Sequence, residues 1–178
     1  MKQKIIIFLI TSITYGMLMA MLKGETGDRF PTYLLIYGIP FGLIMTLGTG
    51  WIQHRNLKKT GNRGQEVKVK NVIQMRVEGS REEIFELCLR SLGEIKRTKV
   101  KSTSPDEGII QASAGISWLT WGDVIEFQIK SAGEEHYFVQ VLSRPAVSTT
   151  LIDYGKNLDN VQRILRYFKH YAKSVQVE

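Results

Sequence analysis

Two apolar runs, Ile5 to Leu22 and Tyr33 to Ile52, dominate the hydropathy pattern, and neither holds a charged side chain. A surface helix of a soluble protein shows a charge on nearly every turn of its wet face, whereas these runs approach the roughly 20 residues that a helix needs to cross hydrocarbon. The link between them, Lys23 to Thr32, is polar, contains glycine and ends on Pro31-Thr32, which suits a turn between antiparallel helices. The pattern therefore predicts a two-helix transmembrane hairpin over residues 1–53.

Within the runs small residues recur at every fourth position: Ser12, Gly16, Ala20 and Gly24 in the first, Gly38, Gly42, Thr46 and Gly50 in the second. That spacing places them on one helix face. Lipid tails give apolar helices no hydrophobic reason to associate, so close backbone approach along small residues supplies the packing. The stripes are expected to form the seam of the hairpin, with homodimerisation through Gly38 and Gly42 as the alternative. Pro40 removes one backbone donor and is expected to kink the second helix or delay its start. A cleaved secretory signal is the competing reading of the first run. It is disfavoured because Leu18 to Leu22 offers no small-x-small cleavage pattern and a second run follows at once.

Lys and Arg set the sidedness. Lys2 and Lys4 precede the first run and Lys23 and Arg29 lie in the link, but Arg55, Lys58, Lys59, Arg63, Lys68 and Lys70 follow the second run. The excess belongs on the cytoplasmic side, so both termini are expected there, at the cell membrane. Residues 54–66 read as a basic juxtamembrane linker, in which Arg55, Lys58, Lys59 and Arg63 would meet anionic lipid head groups.

Beyond the linker the periodicity changes to that of a folded α+β domain, residues 67–178. Lys68 to Val77 alternates as a half-buried strand, and Ser80 to Glu83 forms a capping box ahead of a helical stripe of Ile84, Leu87, Cys88, Leu92 and Ile95. Strands are then expected at Lys96–Ser102, Gly108–Ala114, Ser117–Lys130 and His136–Ser143, the third with Leu119, Trp121, Ile125, Phe127 and Ile129 on one face and a break or bulge at Gly122-Asp123, and a short edge segment at Ser148–Asp153. Asn157 suits the cap of a last helix whose apolar stripe is Leu158, Val161, Leu165, Phe168 and Ala172. The fold class is a membrane hairpin followed by β-α-β-β-β-β-α, an antiparallel sheet with two helices on one face. No regular strand and helix alternation supports a doubly wound nucleotide-binding sheet.

Composition and candidate chemistry refine this picture little. The 178 residues carry a net charge of +7, and on an anchored chain that excess points to anionic lipid before nucleic acid. The single cysteine, Cys88, excludes an intrachain disulfide framework and sits on an apolar helix face without a nearby base. His54, His136 and His170 have no partner at metal-ligand spacing, and no cofactor is implied. No paired carboxylates, Ser-His-Asp set or phosphate-binding glycine loop can be assigned.

Trp118 and Trp121, three apart, cannot share one face of a regular strand, so one is expected outside the core, at a lipid interface or a small cleft. Asp123, Arg144 and Asp153 are expected to join that cleft if the loop before the last helix folds over the sheet. Arg166, Lys169 and Lys173 form a basic face on the last helix that suits a membrane surface. The sequence thus favours a membrane-anchored, non-enzymatic protein whose cytoplasmic module binds a partner protein or the anionic bilayer surface. A carrier or sensor holding a hydrophobic small ligand between sheet and C-terminal helix is the alternative, and an apolar void there would favour it.

Overall fold

The computed structural model describes residues 2–25, 27–61, 67–117 and 120–178, and the chain divides into two compact units, Met1–Lys59 and Thr60–Glu178. Trp118 and Arg63, two of the expected site residues, lie outside the described residues, as does Leu119.

The first unit is helical. Helix α1 runs Lys2–Leu22 and helix α2 runs Phe30–Thr60. Both are long and apolar enough to cross a membrane. The stripes of small residues meet between them: Ser12 and Ala20 are buried, as are Gly16, Gly38 and Gly42. A Cβ on Gly38 would overlap the Ser12 carbonyl oxygen, and one on Gly42 would overlap the Ser12 hydroxyl and lie 3.0 Å from the Phe8 carbonyl oxygen. Glycine at these two positions is what allows the backbones to approach. Tyr15 stacks on Phe41 beside them, ring centroids 4.1 Å apart. Thr46 is half-buried and returns its hydroxyl to the Gly42 carbonyl of its own helix at 2.8 Å. Gly24 differs from the expectation: it lies past the end of α1, where its N–H bonds the Met21 carbonyl, so it ends the helix and is not part of the seam.

Pro40 does not delay the start of α2, which is already helical from Phe30. The turn before it, Leu34–Gly38, is π-helical, and the Ile39 N–H reaches back to the Leu34 carbonyl. The wider turn gives the pyrrolidine ring room where a regular α-turn would press it on the preceding carbonyl. The helix also continues to Thr60, past the expected start of the linker, so Arg55, Lys58 and Lys59 sit on helical turns, with the Arg55 guanidinium 5.3 Å from the Trp51 ring centre.

The second unit is an α+β domain: β1 Asn71–Glu78, α3 Arg81–Ser91, β2 Thr98–Ser104, β3 Ile109–Ala114, β4 Asp123–Ser131, β5 His136–Pro145, α4 Lys156–Tyr171 and β6 Val175–Val177. The six strands form one antiparallel sheet in the order β2-β3-β4-β5-β1-β6. The sequence reading missed β6, whose three residues are too few to show a period. It adds to the edge of β1, pairing Met75 with Val177.

The expected capping box is present: the Ser80 hydroxyl accepts the Glu83 N–H at 3.2 Å, and the Glu83 carboxylate accepts the Ser80 N–H at 2.9 Å. Ile84, Cys88, Leu92 and Ile95 turn inward from there. Alternate strand residues face the helices, with Met75 and Val77, Ile110 and Ala112, Ile125 and Phe127, Val139 and Val141 all at 1% exposure or less. From α4, Ile164 and Phe168 complete that core.

Three expectations are corrected. The long strand begins at Asp123 and not at Ser117, with the expected break falling at Gly122, whose φ of +101° is a left-handed backbone. Trp121 therefore does not share the core face with Ile125 and Phe127; it is 75% exposed. Ser148–Asp153 forms turns and bends, not an edge strand. Finally, Asn157 is not the helix cap: α4 starts one residue earlier, and the Asp153 carboxylate accepts the N–H groups of Gly155 and Asn157 at 3.1 and 2.8 Å.

Candidate functional site

The core stripe of the sheet ends in polar residues. On β4 the inward series Ile129, Phe127, Ile125 closes on Asp123, and on β5 the series Val139, Val141 closes on Ser143. Strand alternation therefore drives both polar side chains under α4. The first turns of α4 present Asn157 and Asn160 to them, three residues apart and hence on one helix face. All four are buried, as is Asp153 in the preceding loop.

These groups bond to one another in a chain. The Asn160 amide donates to the Asp123 carboxylate and to the Ser143 hydroxyl, each at 3.1 Å. Ser143 in turn donates to the Asn157 amide oxygen at 2.7 Å, and the Asn157 amide donates to Asp153 at 3.0 Å. The Lys156 ammonium closes the network by donating to the Asn160 amide oxygen at 2.6 Å. One Asp123 oxygen, Oδ1, is buried with no hydrogen-bond partner.

Burial sets the electrostatics. Loss of water raises the Asp123 carboxyl above the ordinary aspartate range, against the pull of the Asn160 amide and the nearby Lys156 ammonium. Asp153 is raised for the same reason, with its bonds from Asn157 and Gly155 opposing. Burial lowers Lys156, while Asp123, Asp159 and Asp153 act the other way. A carboxyl raised on folding binds its proton more tightly in the folded chain. The contribution of these two carboxyls to stability is then fully present below the ordinary carboxylate range and is lost as pH rises through the raised values. Asp123→Asn is expected to remove its share, giving a smaller loss of urea midpoint between mildly acid and neutral pH than the unaltered chain; an equal loss in both would refute the assignment.

The expected trio of Asp123, Arg144 and Asp153 is thus brought together only in part. Asp123 and Asp153 are joined through Asn160, Ser143 and Asn157. Arg144 alternates to the other face of the sheet, where its nearest carboxylate oxygen is on Glu126 at 3.8 Å. Trp121 lies instead in a separate groove of about 650 Å3 lined by Ile116, Thr120, Val147, Ile152 and Tyr154. Arg166 and Lys169 are exposed on α4, with an Arg166 nitrogen 3.9 Å from Asp159, but Lys173, also exposed, lies beyond the helix, which ends at Tyr171, and so is not part of the expected basic helix face.

Sequence reading missed Ser143, Lys156 and Asn160, and gave Asn157 a different role. A signal was present: each of Ser143, Asn157 and Asn160 takes an inward position in an otherwise apolar period. Cys88 is fully buried, which pushes its thiol far above the ordinary range and leaves it inert. Among the described residues no group of three His, Cys, Asp or Glu is placed to hold a metal ion.

No protein-family model and no curated protein matches the chain. Among solved structures it is similar to an uncharacterised protein from Bacillus thuringiensis, at 14% identity and a TM-score of 0.43, over 57% of this chain and 96% of that one.

Proposed function

We propose that this chain is a two-span membrane protein whose hairpin anchors a non-enzymatic α+β module at the cytoplasmic surface, where the module binds a partner protein or the anionic bilayer. The carrying observation is the outer surface of the helical unit. Ile5, Leu9, Met21, Leu22, Leu35 and Ile44 are exposed, and Leu47 reaches 72%. A water-soluble protein rarely leaves so continuous an apolar surface uncovered, and lipid is the solvent that suits it. The run of Arg55, Lys58 and Lys59 on the last turns of α2 supports an N-in, C-in arrangement. The exposed Arg166, Lys169 and Lys173 support attraction to anionic head groups.

Packing between the sheet and α4 supports a scaffold over a ligand carrier. Phe127, Ile125, Ile164 and Phe168 fill that space at 1% exposure or less, whereas a carrier keeps an apolar void. Full-length protein is expected to sediment with membranes, to resist alkaline carbonate and to be released by detergent. A fluorescent reporter fused after Glu178 should fold and emit inside the cell, and alkaline phosphatase at the same place should be inactive. A soluble product would sink the anchor, and active phosphatase would sink the sidedness.

A further inference from the structure

The α+β domain carries a second concavity, of about 400 Å3, lined by Lys96, Arg97, Lys156 and Arg163, with Glu94 as a lining carboxylate. Three separate segments supply it: the turn before β2, the floor at Gly115 after β3, and α4. Asp159 occupies one edge of Arg163 at 2.8 Å, and Lys156 donates inward to Asn160. Among the described residues neither Lys96 nor Arg97 has a carboxylate at ion-pair distance. The helix end is not the attraction, since Asp153 already takes the N–H groups of Gly155 and Asn157.

Arg97 is held there in an unusual way. Its backbone lies at φ +59°, a left-handed conformation uncommon for arginine. The Gly115 N–H donates to its carbonyl at 3.0 Å, and its guanidinium donates to the Ile116 carbonyl at the same distance. A Cβ on Gly115 would come within 3.3 Å of the Arg97 Cβ, so the floor fits closely under the side chain. Strain of this kind persists where the surrounding structure over-determines it, and it gathers at binding sites. The guanidinium keeps further N–H donors for an oxyanion, and such forks match phosphate geometry.

We infer that this cationic concavity binds a phosphate group, borne either by an anionic lipid head group or by a soluble phosphate compound. The inference does not need the hairpin to lie in lipid, because every residue it uses belongs to the second unit. It is therefore tested apart from the extraction and reporter experiments.

Full-length protein in dodecyl maltoside is heated with inorganic phosphate, with dihexanoyl phosphatidylglycerol or with dihexanoyl phosphatidylcholine, each at matched ionic strength in sodium chloride. The unfolding midpoint of the α+β domain is expected to rise with phosphate, with phosphatidylglycerol or with both. A rise with phosphatidylglycerol alone identifies a lipid head group, and a rise with phosphate alone identifies a soluble ligand. Arg97→Gly relieves the left-handed strain, so its midpoint without ligand should hold or rise while the probe binds about tenfold more weakly. Lys96→Ala, a change on an exposed turn, should weaken binding in the same direction. No rise with either phosphate-bearing probe, an equal rise with sodium chloride or phosphatidylcholine, or full-sized rises in both variants would overturn the site.

Discussion

Asn160→Ala is expected to destabilise the α+β domain by about 3 kcal/mol, an effect of the size seen when a buried charged group loses its partner. The amide serves three neighbours at once: it donates to Asp123 and Ser143 and accepts from Lys156. Truncation would leave the Asp123 carboxylate without that donor, and its other oxygen already has none. Urea unfolding of the full-length protein in detergent, followed by domain fluorescence, measures the loss. The paired variant Asn160→Ala with Asp123→Asn should lose less than the sum of the two single changes, because both act on one network. A loss below about 1 kcal/mol for Asn160→Ala would mean that the network is loosely solvated and contributes little.

The second large effect is placed at Phe168. Its ring is fully buried on α4, against the same core as Phe127, and Phe168→Ala should cost about 3–5 kcal/mol through lost transfer energy and the void left behind. That void is itself informative. In a filled core the variant, unlike the unaltered chain, should gain binding of a small apolar probe such as benzene, seen as a ligand-dependent rise in its unfolding midpoint. Equal probe binding before and after truncation would show that an apolar chamber already exists under α4, and would return the carrier reading to the front.

These two positions also divide the domain by chemistry. Phe168 and its neighbours gain from leaving water and need only shape. Asn160 and its neighbours lose hydration and need every partner in place. The polar end of the core also holds Lys156, whose ammonium donates to the Asn160 amide oxygen at 2.6 Å.

The paired helices, the capping box, most of the inward stripes of α3 and α4, the alternation of β1 and the inward set Ile125, Phe127 and Ile129 of β4 were legible in the sequence, because each rests on local geometry or a local period: 3.6 for a helix, 2 for a strand. Small residues at four-residue spacing likewise announced the seam of α1 and α2, since only a short side chain lets two backbones approach. What required tertiary structure is whatever depends on contacts between distant segments. The three residues of β6 carry no period of their own and become a strand only beside β1. Arg144 and Asp123 look equivalent as charged loop-proximal residues, yet strand register sends one under α4 and the other to the opposite face. Asn157 and Asn160 read as ordinary polar helix-start residues until Ser143 and Asp123 arrive from strands far away in sequence to receive them. Local periodicity settles which face a residue occupies; only the packed chain decides what waits on that face.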